Sequence, residues 1–63
     1  MFVRFENYLL PKEKILCARI SKEKNCSYVM VELMGDKWAS SERKSFEETE
    51  KIFQKLLDNL NAQ

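Results

Sequence analysis

The segment from Ser45 to Leu60 constrains the fold most, because its apolar residues repeat with the period of an α-helix. A line of residues recurs at spacings of three and four, and Ile52 and Leu57 widen it into an apolar face; the line is Phe46, Thr49, Phe53, Leu56 and Leu60. Ser45 and Glu48 have the spacing of a capping box, which satisfies free amides of the first helical turn. The pattern predicts an amphipathic helix whose apolar face needs a partner surface.

The preceding residues are typical of β-strands separated by polar turns. Glu6-Asn7 is a candidate turn, so residues 1–10 form either one kinked strand or two. Three segments alternate or are rich in β-compatible residues: Phe2 to Phe5, Lys14 to Ser21 and Ser27 to Met34.

Gly35-Asp36 predicts the next connection, because glycine followed by aspartate is typical of a two-residue type II′ hairpin turn. A fourth strand from Lys37 to Ser40 then follows. In this register Leu33 faces Trp38, and we expect the indole ring in the core.

Together these patterns predict a single α+β domain over residues 1–63. It has a three- to four-stranded antiparallel β-meander with the C-terminal amphipathic helix packed on one face. We expect Ala18 to lie opposite Val29 and Cys17 opposite Met30. This pairing puts the following residues on the helix-covered face: Val3, Phe5, Leu16, Ala18, Ile20, Val29, Val31, Leu33 and Trp38.

Size and charge limit the function classes. A chain of 63 residues often obtains only about 3–5 kcal/mol from its core unless a metal, a disulfide or an oligomer adds to it. Eleven basic and ten acidic residues give a net charge of +1, too little to attract nucleic acid or anionic membranes over a distance. No stretch approaches the roughly 20 apolar residues of a membrane span, and we expect a cytoplasmic protein.

The reactive side chains favour no catalytic or metal site. The chain has no histidine, and its two cysteines, Cys17 and Cys26, do not form a CxxC motif. In the expected register they are about four residues apart along the strands, too far for a disulfide. Two thiols cannot complete a zinc site. We expect no cofactor, no metal and no enzymatic activity, and leave open an intermolecular or redox role for the thiols.

The face of the sheet away from the helix is unusually apolar for a surface. We expect it to carry Ile15, Cys17, Tyr28, Met30 and Met34. Such a patch indicates self-association, as in a homodimer, or binding of another protein. Two alternatives stay open, namely a different strand register and a first segment that folds Tyr8, Leu9 and Leu10 over this face.

A second functional hypothesis is nucleic-acid binding. The basic residues of the first hairpin, beside the aromatic ring of Tyr28, are Lys14, Arg19, Lys22 and Lys24. Glu13 and Glu23 interrupt this positive charge, so a solvated hairpin end explains the residues more simply.

The layout resembles that of short bacterial and phage proteins with a β-meander followed by one helix, and is similar to the small flagellar FlbD family. The matching features are Phe2 to Leu10, Lys14-Ile15-Leu16, Gly35-Asp36-Lys37 and Ser45-Phe46-Glu47-Glu48. The resemblance implies a small non-enzymatic accessory protein and carries over no functional residue.

Overall fold

The computed structural model describes residues 1–62, which form five strands and one α-helix. The strands are β1 (Phe2–Phe5), β2 (Tyr8–Pro11), β3 (Ile15–Lys22), β4 (Ser27–Leu33) and β5 (Lys37–Ser40), and the helix is α1 (Phe46–Asn61). A 3₁₀ turn, Lys12–Lys14, joins β2 to β3. The α+β class is confirmed, but the strands form a two-stranded and a three-stranded sheet instead of one meander.

The first segment is a separate hairpin of β1 and β2. Glu6 makes its turn with a φ of 54°, and Val3 pairs with Leu10. Leu10 is buried in the core, and the rings of Phe5 and Tyr8 stack with their centres 6.1 Å apart. The alternative in which Tyr8 to Leu10 cover the far face of the larger sheet is therefore wrong.

The register of β3 against β4 differs from the expected one by two residues. Ala18 pairs with Val31, and Cys17 pairs with Glu32 instead of Met30. The strands continue further towards their connection than expected, since the Glu23 amide donates to the Cys26 carbonyl at 2.8 Å.

A β-bulge at Leu16 changes the faces at the start of β3. Ile15 pairs with Leu33 and Cys17 with Glu32, so Leu16 is the extra residue. Ile15 consequently packs against the core, whereas Leu16 is 59% exposed. The expectations that Ile15 lies on the far face and Leu16 in the core are both wrong.

The β4–β5 turn has three residues rather than two. Gly35 and Asp36 have φ values of 83° and 57°, and Leu33 pairs with Lys37. The extra turn residue moves each β5 side chain to the opposite face. Trp38 therefore pairs with Glu32 and is 56% exposed, which overturns its expected core position.

The β1–β2 hairpin and α1 both cover the inner face of the three-stranded sheet. One core cluster joins them: Val3, Phe5, Leu10, Val29, Val31, Ala39 and Leu56. We call the opposite side the outer face, and its side chains follow from the register: Cys17, Arg19, Ser21, Tyr28, Met30, Glu32, Trp38 and Ser40.

Backbone and side-chain hydrogen bonds attach the start of α1 to β4. The Ser45 hydroxyl accepts the Glu48 amide at 3.2 Å, so the predicted N-cap is present. Thr49 is fully buried, and its hydroxyl lies 3.1 Å from the Ser27 carbonyl and 2.9 Å from that of Ser45. Ser27 and Lys44 also exchange backbone hydrogen bonds of 2.9 Å.

Replacing Thr49→Val is expected to lower the free energy of unfolding by about 1 kcal/mol, because a buried donor is lost at nearly constant volume. The matched control is Ser27→Ala, since the Ser27 hydroxyl is buried without a hydrogen-bond partner. Its removal should leave stability unchanged or raise it. Urea unfolding of both variants tests the pair, and equal losses would contradict this account of the helix anchor.

Candidate functional site

The outer face consists of cross-strand rows whose side chains come from all three strands. Cys17, Glu32 and Trp38 form one row. Arg19, Met30 and Ser40 form the next. Because the hairpin and the helix both lie on the inner face, the outer face is left to solvent.

Three large apolar side chains lie at the turn end of this sheet, and we call them the apolar end: Leu16, Met34 and Trp38. Leu16 protrudes at the bulge, and Met34 opens the β4–β5 turn. The Met34 amide donates to the Lys14 carbonyl at 2.9 Å, which holds this turn against the start of β3. Leu16, Met34 and Trp38 are each more than half exposed. Such side chains on one uncovered sheet are typical of a contact surface.

Charged groups on the outer face are paired with each other. The Arg19 guanidinium lies 3.6 Å from the Glu32 carboxylate and donates to the Cys17 sulfur at 3.6 Å. The Cys17 thiol in turn lies 3.9 Å from the same carboxylate. An exposed pair of this kind adds little stability, but it leaves the centre of the face without net charge.

A second group of side chains, the Arg43 cluster, lies at the opposite end of the sheet. Arg43 binds Glu23 through two nitrogens, at 2.6 and 3.3 Å, and its guanidinium carbon lies 4.8 Å from the centre of the Tyr28 ring. The Cys26 thiol donates to Glu23 at 3.3 Å. The cluster links the β3–β4 turn to the segment before α1.

Within this cluster, hydrogen bonds shift the ionisation of three groups. The Arg43 hydrogen bond, followed by that of Cys26, holds the pKa of Glu23 below its usual value. The Glu23 carboxylate raises the pKa of the Cys26 thiol and that of Arg43. The raised pKa makes the Cys26 thiol harder to ionise, and the thiolate is the nucleophilic form.

The structure brings together four of the five residues predicted for a protein contact. Cys17, Tyr28 and Met30 lie on the outer face and Met34 at its end, whereas Ile15 points to the core. Sequence reasoning missed Trp38 and Leu16. The residues Met34-Gly35-Asp36 are also compatible with a three-residue turn. A turn of that length predicts Trp38 on the outer face.

The residues predicted for nucleic-acid binding do not form one surface. Arg19 is paired with Glu32, and the Lys22 ammonium lies 5.8 Å from the Phe46 ring, at the start of the helix on the inner side. Lys14 belongs to the 3₁₀ turn and Lys24 to the β3–β4 turn. Arg43, whose guanidinium lies over the Tyr28 ring, is held by Glu23.

Within residues 1–62, no group of three or more histidine, cysteine or acidic side chains is placed to hold a metal ion. In the same part of the chain, no helix is long and apolar enough to cross a membrane. Both cysteines are free thiols.

Comparison of the chain with protein-family models, curated proteins and solved structures found no match. The resemblance in layout to the FlbD family stays a prediction.

Glu23→Gln should make Cys26 react faster with iodoacetamide at mildly alkaline pH. The carboxylate that raises the thiol pKa is removed, so a larger fraction of Cys26 is thiolate at a given pH. Cys17 is the internal control, because it lies outside this cluster. Peptide mapping by mass spectrometry gives both rates, and an unchanged Cys26 rate would contradict the assigned cause.

Proposed function

We propose that this protein is a small non-enzymatic interaction module that contacts a protein chain, either a second copy or another protein, through the outer face of its sheet. The observation that carries the proposal is the position of Trp38. A large aromatic side chain is 56% exposed on a face that neither the hairpin nor the helix covers.

The composition of this face fits a protein contact. Tryptophan, tyrosine and methionine are enriched in the centres of protein interfaces, and Trp38, Tyr28 and Met30 supply all three. Complete burial of side chains such as Leu16 or Met34 yields about 1.5–3 kcal/mol each, so burial of their exposed halves yields roughly 1 kcal/mol each. The apolar end therefore offers a useful part of a binding energy.

Charge pairing favours a protein over a nucleic acid as the partner. Phosphate binding depends on cations that are not already neutralised, and the cations next to the outer-face rings are paired with Glu32 and Glu23. Nucleic-acid binding therefore remains the alternative with less support. A binding constant that falls steeply with salt would favour it.

The cellular setting is part of the proposal. Two free thiols, one of them exposed, fit a reducing compartment, and we place the protein in the cytoplasm. The resemblance in layout suggests a bacterial or phage accessory role, with partner recognition rather than catalysis as its task.

Trp38→Ser and Met30→Asp should each weaken association at least tenfold, because one removes the main apolar anchor and the other places a charge in the contact. Leu9→Ser is the matched control. Leu9 is apolar and 59% exposed, close to the 56% of Trp38, but it belongs to the β1–β2 hairpin.

Sedimentation equilibrium and capture of bacterial proteins on immobilised variants measure self-association and partner binding. Far-ultraviolet circular dichroism checks that each variant keeps its fold. If the two outer-face variants associate as tightly as Leu9→Ser, the outer face is not the contact surface.

A further inference from the structure

A small cavity lies between β1 and α1, on the opposite side of the sheet from the outer face. Its volume is about 90 Å³. Phe5 and Leu56, which are each 2% exposed, line it together with the half-buried Ile52. The Asn59 side chain donates to the Arg4 carbonyl at 3.1 Å, which ties the helix to the strand beside the cavity. The cavity therefore has an apolar lining held between two connected elements.

Three exposed, charged side chains surround this apolar lining without forming an ion pair. Arg4 and Lys55 bring positive charge from β1 and α1, and Glu6 brings negative charge from the hairpin turn. Within residues 1–62, none of the three is paired with an opposite charge. A ligand that carries both charges can therefore bind them without displacing a salt bridge of the protein.

The backbone at Glu6 also points to a role for its carboxylate. Its φ of 54° is in the left-handed region, which glycine and asparagine adopt more readily than glutamate. Residues held in such conformations are concentrated at functional sites. Asn59 adds a neutral acceptor, since its amide oxygen receives no hydrogen bond within residues 1–62. Glu6 and Asn59 are therefore available to bind an ammonium group.

The size of the cavity limits the apolar part of a ligand. An apolar protein cavity of about 150 Å³ holds a molecule as large as benzene. In proportion, a cavity of about 90 Å³ holds roughly four carbon atoms. This is the size of the branched side chain of valine or leucine.

We infer that this cavity binds a free aliphatic α-amino acid of the size of valine or leucine. The ligand side chain packs against Phe5 and Leu56. Its carboxylate contacts Arg4 and Lys55, and its ammonium group contacts Glu6. A simple carboxylate would instead meet Glu6 with a like charge. The inference goes beyond the proposed function, because the site lies on β1 and α1 and holds a small molecule instead of a protein chain.

Titration of ¹⁵N-labelled protein with L-leucine, followed by nuclear magnetic resonance, tests the site directly. We expect a Kd of about 1–10 mM, because a ligand with so few atoms offers little binding energy. The amides of Phe5, Glu6 and Asn59 should shift in a saturable way, whereas those of β3 and β5 should not. The absence of a saturable shift up to about 50 mM would overturn the inference.

Two relatives of L-leucine show whether the site recognises both charges. N-acetyl-L-leucine has the carboxylate without the ammonium group, like the last residue of a protein. L-leucinamide has the ammonium group without the carboxylate, like the first residue. We expect each to bind roughly fivefold more weakly than L-leucine, or weaker still. Binding of either as tight as that of L-leucine would overturn the inference and indicate a polypeptide terminus instead.

Lys55→Gln and Lys51→Gln form a matched pair on α1. Both lysines are exposed, but Lys51 lies outside the cavity, with its ammonium 3.9 Å from Glu47. We expect Lys55→Gln to weaken L-leucine binding about fivefold and Lys51→Gln to leave it unchanged. Glu6→Gln should weaken L-leucine binding without weakening that of N-acetyl-L-leucine. Equal affinities of the two lysine variants, or tighter L-leucine binding by Glu6→Gln, would overturn the inference.

Discussion

The pairing of β4 with its two neighbours decides which side chains of this small protein reach the core. Val29 and Val31 of β4 point inward and are fully buried. Each neighbouring strand must place its own inward residues opposite them, as Ala39 does on β5. Two local irregularities set this alignment, the bulge at Leu16 and the three-residue turn after Leu33. A shift of one residue at either place exchanges the faces of a whole run of side chains.

The same alignment explains why one side of the sheet remains bare. The only α-helix of residues 1–62 and the β1–β2 hairpin both cover the inner face, where Phe5 and Leu56 complete the core. The outer face then has the apolar end at the β4–β5 turn. Its charged side chains, Arg19 and Glu32, are paired with each other. A surface that is apolar at one end and locally neutral suits contact with another protein chain better than contact with phosphate.

Local features of this fold were predictable from the sequence, whereas strand alignment was not. The Ser45 cap and the inward position of Thr49 depend on residues three and four apart, and both were predicted. The faces of Ile15 and Trp38 were predicted wrongly, because alternation gives two possible faces and the bulge and turn length select between them. Cys17, Tyr28 and Met30 were placed on the correct face, since the two-residue register error preserves the face of each side chain.

The most direct test of the central claim is the fluorescence of Trp38, which is the single tryptophan of the chain. In dilute, reduced protein, its emission should resemble that of tryptophan in water, and acrylamide should quench it efficiently. At concentrations where chains associate, the emission should shift to shorter wavelength and quenching should weaken, because the indole becomes buried. Blue-shifted, protected emission from a dilute monomer would contradict the account, since it would place Trp38 in the core.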